Sequence, residues 1–305
     1  MIRRDELEEV DGLCLELALR IREAVLPALG SHAARTHTGV AHGGDVTFGI
    51  DELAEGELAA FAEAAPLPLA VVSEDRGLVA DPAAEWLLVI DPVDGTRPAL
   101  GGFEAACVSI AAARAGAEPT MRDVEVAVVL ELKTGHRFSA RRGGGVCADD
   151  ALEPSANADL GRLFWAAGYR GRPARELTAI LAPLIDRSSV GGGYFDLGSA
   201  SYILTRVATG QLDAYVDVGP RIVAEVEGAE AAFRRVGGGA ILCNRPYDLA
   251  ASFLILSELG LPMTDAWGRP LGAVPLTAPI ISCLAAGNER LHEALLAEID
   301  RAFVG

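Results

Sequence analysis

Two carboxylates at the end of one apolar stretch constrain this chain more than any other feature. Leu87 to Ile90 are four consecutive apolar residues, two of them β-branched, and they predict a buried strand. The strand runs directly into Asp91-Pro92-Val93-Asp94-Gly95-Thr96. Two acids this close on a rigid strand end can both face one hard cation, and Gly95 permits close approach of the backbone to a ligand. The pattern predicts a magnesium and phosphate site.

Composition limits the class of protein. The chain has 305 residues, of which 50% are hydrophobic, enough for one large domain or two of ordinary size. With 43 acids against 26 bases, the net charge of −17 repels phosphodiester backbones. We therefore expect no nucleic acid partner.

Cysteines and targeting signals indicate the compartment. Five scattered cysteines without a C-x-x-C pair argue against a disulfide framework or a zinc site. The first ten residues are charged, with no apolar leader region, and no run approaches the roughly 20 apolar residues that span a bilayer. We expect a cytoplasmic protein with no membrane partner.

Apolar periodicity outlines the elements. Residues 150–160 are polar and separate a strand-rich half from an α/β half, which predicts domains at 1–155 and 156–305. Predicted helices cover 5–29, a segment capped near Asp51, 177–185, 200–210, the helix-like 222–235 and 246–260. Predicted strands cover 70–72, 87–90, 105–113, 124–132, 136–140, 163–167, 212–217 and 240–243.

Three acids outside the central motif have ordinary structural explanations. Asp51 suits a helix N-cap, Glu74 a solvated strand end, and Asp248 a first helical turn, where the helix dipole favours an acid. Glu74 nevertheless ends a strand next to the strand that carries Asp91 and Asp94. Two neighbouring strands that each end in carboxylates predict a cluster of cation ligands.

Four segments resemble the inositol monophosphatase family in their order and rough spacing. They are Val72-Ser73-Glu74-Asp75, the string from Asp91 to Thr96, Gly198-Ser199-Ala200, and Tyr247-Asp248-Leu249-Ala250-Ala251. That family belongs to the superfamily of magnesium-dependent, lithium-sensitive sugar phosphatases, which includes fructose bisphosphatases. The resemblance covers nearly the whole chain. It implies an α+β or α/β fold, the layered α-β-α-β-α sandwich of the sugar phosphatases.

The resemblance also implies a set of metal ligands. Glu74, Asp91 and the carbonyl of Val93 would hold one Mg²⁺, and Asp91, Asp94 and Asp248 a second. Glu74 would be catalytic as well, because it would help to hold a third, looser ion. The second half of the chain would thus supply Asp248 to a site built mainly in the first half.

Roles toward water and substrate follow from the same resemblance. Thr96 would pair with Asp51 to orient the attacking water. The backbone N–H groups of Gly95 and Thr96, with Asp94 nearby, would bind the phosphate. Asp217 matches the family's acid that hydrogen-bonds a sugar or inositol hydroxyl.

Several departures from the family pattern concern the substrate. Arg97-Pro98-Ala99 replaces a polar residue followed by Asn-Phe, Phe195-Asp196 stands where arginine is usual, and Tyr247 replaces tryptophan. About 25 residues, from Arg221 to Arg245, separate Asp217 from Tyr247, where simpler members have a few. Two explanations of this insertion stay open. One is a lid or specificity loop in which Arg234-Arg235 or Arg245 binds a second phosphate. The other is a plain structural elaboration or a dimer contact.

The sequence therefore predicts a phosphoric monoester hydrolase with two or three Mg²⁺ per site. The predicted substrate is a small phosphorylated polyol or sugar, of the inositol monophosphate or fructose 1,6-bisphosphate type, hydrolysed by metal-activated water. The alternatives are a phosphatase of adenosine 3′,5′-bisphosphate or NADP and a non-catalytic regulatory member that binds metal or ligand. We expect a homodimer.

Overall fold

The first half of the chain builds one large sheet with helices on its outer face. The structure is a computed structural model that describes residues 4–304. Its first elements, in chain order, are α1 (Arg4–Val25), β1 (His37–Val40), β2 (Val46–Phe48), α2 (Gly49–Ala64), β3 (Leu69–Ser73), β4 (Gly77–Val79), β5 (Trp86–Asp94), α3 (Thr96–Gly101), β6 (Cys107–Arg114), β7 (Val124–Glu131), β8 (Arg137–Arg141) and β9 (Gly145–Ala148).

The second half builds a smaller sheet and contains the other α-helices of the described residues. Its elements are β10 (Phe164–Ala166), α4 (Ala174–Ser188), β11 (Gly193–Phe195), α5 (Ala200–Ala208), β12 (Ala214–Asp217), α6 (Gly219–Glu225), α7 (Ala229–Val236), α8 (Pro246–Glu258), β13 (Met263–Thr264), β14 (Cys283–Ala286) and α9 (Glu289–Val304). No helix within residues 4–304 is long and apolar enough to cross a membrane.

Strand β5 lies inside the larger sheet, whose order is β4-β3-β5-β6-β7-β8-β9. It pairs in parallel with β3 and antiparallel with β6, and all nine of its residues are buried. Leu87 and Val89 face one apolar cluster, whereas Leu88 and Ile90 face another with α1 and α2. A strand that is covered on both faces has apolar residues at consecutive positions, which explains the apolar run from Leu87 to Ile90.

Helices α5 and α8 fill the space between the two sheets. Ile203 of α5 and Leu254 of α8 share a core with Val129 of the large sheet and Tyr215 of the small one, whose order is β11-β10-β12-β14-β13. Helices α4, α6, α7 and α9 pack on the outer face of the small sheet. The predicted α-β-α-β-α sandwich is confirmed.

Three predicted elements need correction. The first helix ends at Val25 and is followed by a 3₁₀ turn over Leu26–Ala28, because Pro27 has no N–H to continue the ladder. The segment 222–235 is two helices, α6 and α7, separated near Gly228, whose φ of +75° suits glycine. The strand predicted at 240–243 is wrong, since that segment forms no ladder.

The predicted domain boundary falls between the sheets. Residues 149–159 contain neither helix nor strand, and they connect β9 to the second half. Helix α8 belongs to that second half, yet it packs on strands β5 to β8 of the large sheet. The division at residue 155 stays a prediction, and the position of α8 means that the site residues come from both sides of it.

Candidate active site

Three carboxylates meet where β5 ends and α8 begins. Asp91, Asp94 and Asp248 each bring one oxygen within 4.8 Å of the others. Asp91 and Asp94 are almost completely buried, and Asp248 is partly buried. Oxygen ligands gathered at this spacing are what a hard divalent cation requires.

A distortion of β5 explains how its two acids reach one point. Asp91 and Asp94 are three residues apart, so a regular strand would direct them to opposite faces. The pairing with β6 shifts register between these two residues, and Asp94 pairs with Cys107 after the shift. The irregularity re-aims the strand end, as bulges beside active sites do.

A backbone donor fixes one oxygen of each carboxylate. Each acid accepts a hydrogen bond from an N–H group: Val93 to Asp91 Oδ1 at 3.0 Å, Ser201 to Asp94 Oδ2 at 2.6 Å, and Arg245 to Asp248 Oδ2 at 2.6 Å. The bond from Arg245, the N-cap of α8, confirms that Asp248 also caps its helix. Capping is compatible with metal binding, because a carboxylate has two oxygens that can each accept more than one partner.

Burial makes this cluster costly to ionise without a cation. Desolvation, followed by the charges of Glu74 and Asp94, raises the pKa of Asp91 well above its ordinary value. Desolvation and the charge of Asp94 raise the pKa of Asp248 to about 7. Buried carboxylates that repel one another and lack a bonded arginine or lysine fit a site for divalent metal.

Glu74 and Val93 lie beside the cluster, as predicted for the first metal. Glu74 follows β3 and lines the same pocket as the three aspartates and the Val93 backbone. The carbonyl oxygen of Val93 lies 3.2 Å from Thr96 Oγ1, whose one hydrogen is shared with or given to the nearer Asp51 Oδ1 at 3.0 Å, so the carbonyl keeps a lone pair for a ligand. The structure thus brings together the predicted metal ligands, whose roles stay proposals.

Asp51 and Thr96 form a hydrogen-bonded pair at the edge of this pocket. Thr96 Oγ1 donates to Asp51 Oδ1 at 3.0 Å, and the Phe48 N–H donates to Asp51 Oδ2 at 2.8 Å. Phe48 is therefore the N-cap of α2, and the N-cap position predicted for Asp51 is wrong: Asp51 caps the helix from its first turn. Burial raises the pKa of Asp51 to about 7, against the lowering effect of the Phe48 bond.

Gly95 has no tolerated substitute at the turn between β5 and α3. Its φ is +92°, and a Cβ would lie 2.5 Å from the carbonyl oxygen of Ala105. The turn exposes Gly95 and Thr96 to the pocket that holds the acids. Phosphate binding by their backbone N–H groups stays a prediction.

A cleft extends from Glu74, Asp94 and Asp248 between the two halves of the chain. Asp217 does not line it: the side chain is fully buried, and its two oxygens accept from Arg172 at 2.7 and 2.9 Å. Arg172 is the member of that pair that lines the cleft. The substrate-reading role predicted for Asp217 stays a prediction, and it requires Arg172 to release an oxygen.

The inserted segment contributes one arginine to the cleft. Arg245 lines it and donates from Nη2 to the Gly43 carbonyl at 3.3 Å. Arg234 instead lies exposed on α7 and pairs with Glu230 at 2.9 Å.

Two residues of the loop after β10, Arg170 and Arg172, were not predicted from the sequence as part of the site. Both line the cleft, and Arg172 also donates from Nε to the Leu242 carbonyl at 2.9 Å. The available signal was Gly168-Tyr169-Arg170-Gly171-Arg172, a glycine-rich basic turn directly after a strand. Site residues were already expected at the ends of strands, so this turn could have been included among the candidates.

Comparison with known proteins identifies the family. The model of the inositol monophosphatase family matches residues 6–302. The chain belongs to the inositol monophosphatase family. Membership confirms the predicted phosphomonoester hydrolase, and metal dependence is general in this family.

Relatives cover most of the chain. The fructose-1,6-bisphosphatase/inositol-1-monophosphatase of Methanothermobacter thermautotrophicus is 27% identical over 299 residues, 95% of this chain and 96% of the relative. The Nus factor SuhB of Xylella fastidiosa is 28% identical over 256 residues, 82% and 80% of the two chains. The crystal structure of the extragenic suppressor protein suhB from Bartonella henselae superposes with a TM-score of 0.72 at 20% identity, over 96% of this chain and 99% of that one. This last likeness shows that the two chains share a fold.

Proposed function

We propose that the protein is a Mg²⁺-dependent phosphatase of a small phosphorylated polyol or sugar, with two or three Mg²⁺ per site. The observation that carries the proposal is the convergence of Asp91, Asp94 and Asp248 in one pocket, beside a cleft that Asp94 and Asp248 also line. Oxygen-only ligands favour Mg²⁺ over softer metals. Glu74 and the Val93 carbonyl complete the proposed ligand set.

The chain's own residues supply the remaining functions. When bound, Mg²⁺ contributes Lewis-acid chemistry that lowers the pKa of water and neutralises phosphoryl charge. The Thr96 hydroxyl donates a hydrogen bond to Asp51. The lone pairs of the Thr96 oxygen are then available to accept a hydrogen bond from water. Asp51 is the group that takes up the released proton. The N–H groups of Gly95 and Thr96 bind phosphoryl oxygens.

The cleft favours a small, polar leaving group. Its wall carries Arg170, Asn244, Arg245 and Tyr215, together with the metal acids. Asn244 donates to the Tyr215 hydroxyl at 2.8 Å, which holds that part of the wall in place. Polar groups fixed in this way can accept and donate hydrogen bonds to sugar or inositol hydroxyls.

A substrate panel tests the proposal. Purified protein with Mg²⁺ should release phosphate from inositol monophosphate or fructose 1,6-bisphosphate, and chelation should stop the release. Absence of release from a broad panel of phosphate monoesters would overturn it.

A second candidate is a phosphatase of adenosine 3′,5′-bisphosphate or NADP. It is favoured by Arg245, which reaches the cleft from the inserted segment and offers a cation for a second phosphate. Turnover of nucleotide and sugar esters should be compared in wild type and Arg245→Gln, with the exposed Arg234→Gln as control. Selective loss of nucleotide turnover in Arg245→Gln would favour this candidate.

A regulatory role is the remaining alternative. Relatives named Nus factor SuhB motivate it. The complete acid set and the Thr96–Asp51 pair favour turnover instead. Calorimetric Mg²⁺ binding without hydrolysis of any ester would favour the regulatory role.

A further inference from the structure

Two arginines line the pocket that holds the metal acids. Arg97 is the first residue after the string from Asp91 to Thr96, and Arg170 comes from the loop after β10. Both line the pocket with Asp94, Gly95 and Thr96. Their side chains are 38% and 41% exposed, so each guanidinium is accessible from the pocket.

One buried carboxylate holds both guanidiniums. Asp45, in the turn between β1 and β2, is 7% exposed. Arg97 donates to it with two nitrogens at 3.1 and 3.0 Å, and Arg170 Nη1 donates to its Oδ2. Burial opposes ionisation of Asp45, but the two arginines outweigh it and hold its pKa below the ordinary value. One negative charge faces two positive ones, so the group carries a net positive charge.

Donors remain available for a ligand. Within residues 4–304, Arg170 Nε and Nη2 and Arg97 Nε have no recorded protein acceptor. The Arg97 guanidinium lies 5.2 Å from the centre of the Phe48 ring, which supports its plane. Planar, oriented guanidiniums are suited to phosphate oxygens.

The negative charge of the pocket explains why additional cationic donors would be needed to bind phosphate there. Glu74, Asp91, Asp94 and Asp248 provide four carboxylates, which two divalent cations would only neutralise. A phosphate dianion bound there needs further positive charge. Arg170 lines the same pocket as Glu74 and Asp248, which places its charge beside the proposed phosphate site.

We propose that Arg97 and Arg170 bind the phosphoryl oxygens of the substrate beside the metal acids, and that Asp45 positions both guanidiniums. The inference rests on the proposed phosphatase function and adds two phosphate-binding residues to it. A purely structural alternative exists, in which the three side chains only fix the β1–β2 hairpin over the site. The two accounts differ in what the removal of Asp45 does.

Binding of inorganic phosphate to the Mg²⁺-loaded protein, measured by calorimetry, separates them. Arg97→Gln and Arg170→Gln should each weaken phosphate binding roughly tenfold, since each removes a charge-assisted hydrogen bond. Arg97→Lys and Arg170→Lys should recover part of the loss, because they keep the charge. Asp45→Asn should also weaken phosphate binding, but by less than either Gln variant, because both positive charges remain while the carboxylate that orients them is lost.

Control measurements distinguish a failure of this inference from a failure of the proposed phosphatase function. Mg²⁺ affinity and thermal unfolding should be measured for every variant, with Arg234→Gln expected to match wild type. Phosphate binding within twofold of wild type in both Gln variants would overturn the inference. The positioning role of Asp45 would be overturned if Asp45→Asn bound phosphate as tightly as wild type. A wild-type protein that neither binds nor releases phosphate would instead refute the proposed function.

Discussion

The hydroxyl of Thr96 donates a 3.0 Å hydrogen bond to Asp51, a residue 45 positions earlier in the chain. The bond connects the turn after β5 to the first turn of α2. It places an oxygen with free lone pairs beside the buried acids and next to a carboxylate whose pKa burial raises to about 7. These are the properties required of a pair that orients water and takes its proton.

Removing either partner should reduce catalysis more than binding. We expect Thr96→Ala and Asp51→Asn to lower kcat by roughly 10²- to 10⁴-fold, the usual contribution of a positioned base. Thr96→Ser keeps the hydroxyl and should retain most activity. A Thr96→Ala enzyme with near wild-type kcat would refute the assigned role.

The charge of Asp248 should destabilise the metal-free fold near neutral pH. Its folded-state pKa is about 7 against an ordinary 3.8, so the folded state binds more protons than the unfolded state between these values. Stability attributable to this group therefore falls as pH rises from about 4 to 7. Urea unfolding with chelator should show Asp248→Asn to be more stable than wild type at pH 7.5, with little difference at pH 4.5. Equal effects at both pH values would contradict this.

A buried ion pair between the sheets should contribute to stability and not to chemistry. Arg206 on α5 donates to Glu131 on β7 at 2.6 Å, and their side chains are 10% and 2% exposed. Arg206→Met leaves the Glu131 charge buried and should cost about 3–5 kcal/mol of unfolding free energy. The exposed pair of Arg234 and Glu230 provides the control, since Arg234→Met should cost less than about 1 kcal/mol. A double variant, Arg206→Met with Glu131→Gln, should recover part of the loss.

Structural features that depend on residues close together in the chain could be predicted from the sequence. The strand β5, the turn at Gly95 and the placement of Asp248 in a first helical turn follow from local patterns, and the order of the motifs identified the layered fold. The error at 240–243 has a tertiary cause: this segment resembles a strand, but its Leu242 carbonyl accepts from the Arg172 side chain, and no strand pairs with it.

Side-chain pairs between distant segments could not be predicted in the same way. The contact of Asp45 with Arg170 joins residues 125 positions apart, and nothing in either local sequence specifies it. The pairing of Arg172 with Asp217 likewise depends on how β10 and β12 lie next to each other. Such pairs determine which charges face the substrate, so the sequence indicates the reaction better than the substrate.

The central claim is that Asp91 belongs to a Mg²⁺ site that hydrolyses phosphate esters. The most direct measurement is Mg²⁺ binding by calorimetry combined with phosphate release, in wild type and in Asp91→Asn. The account predicts that wild type binds Mg²⁺ and releases phosphate, and that Asp91→Asn loses both while remaining folded. Phosphate release by Asp91→Asn at the wild-type rate, or without added Mg²⁺, would contradict it.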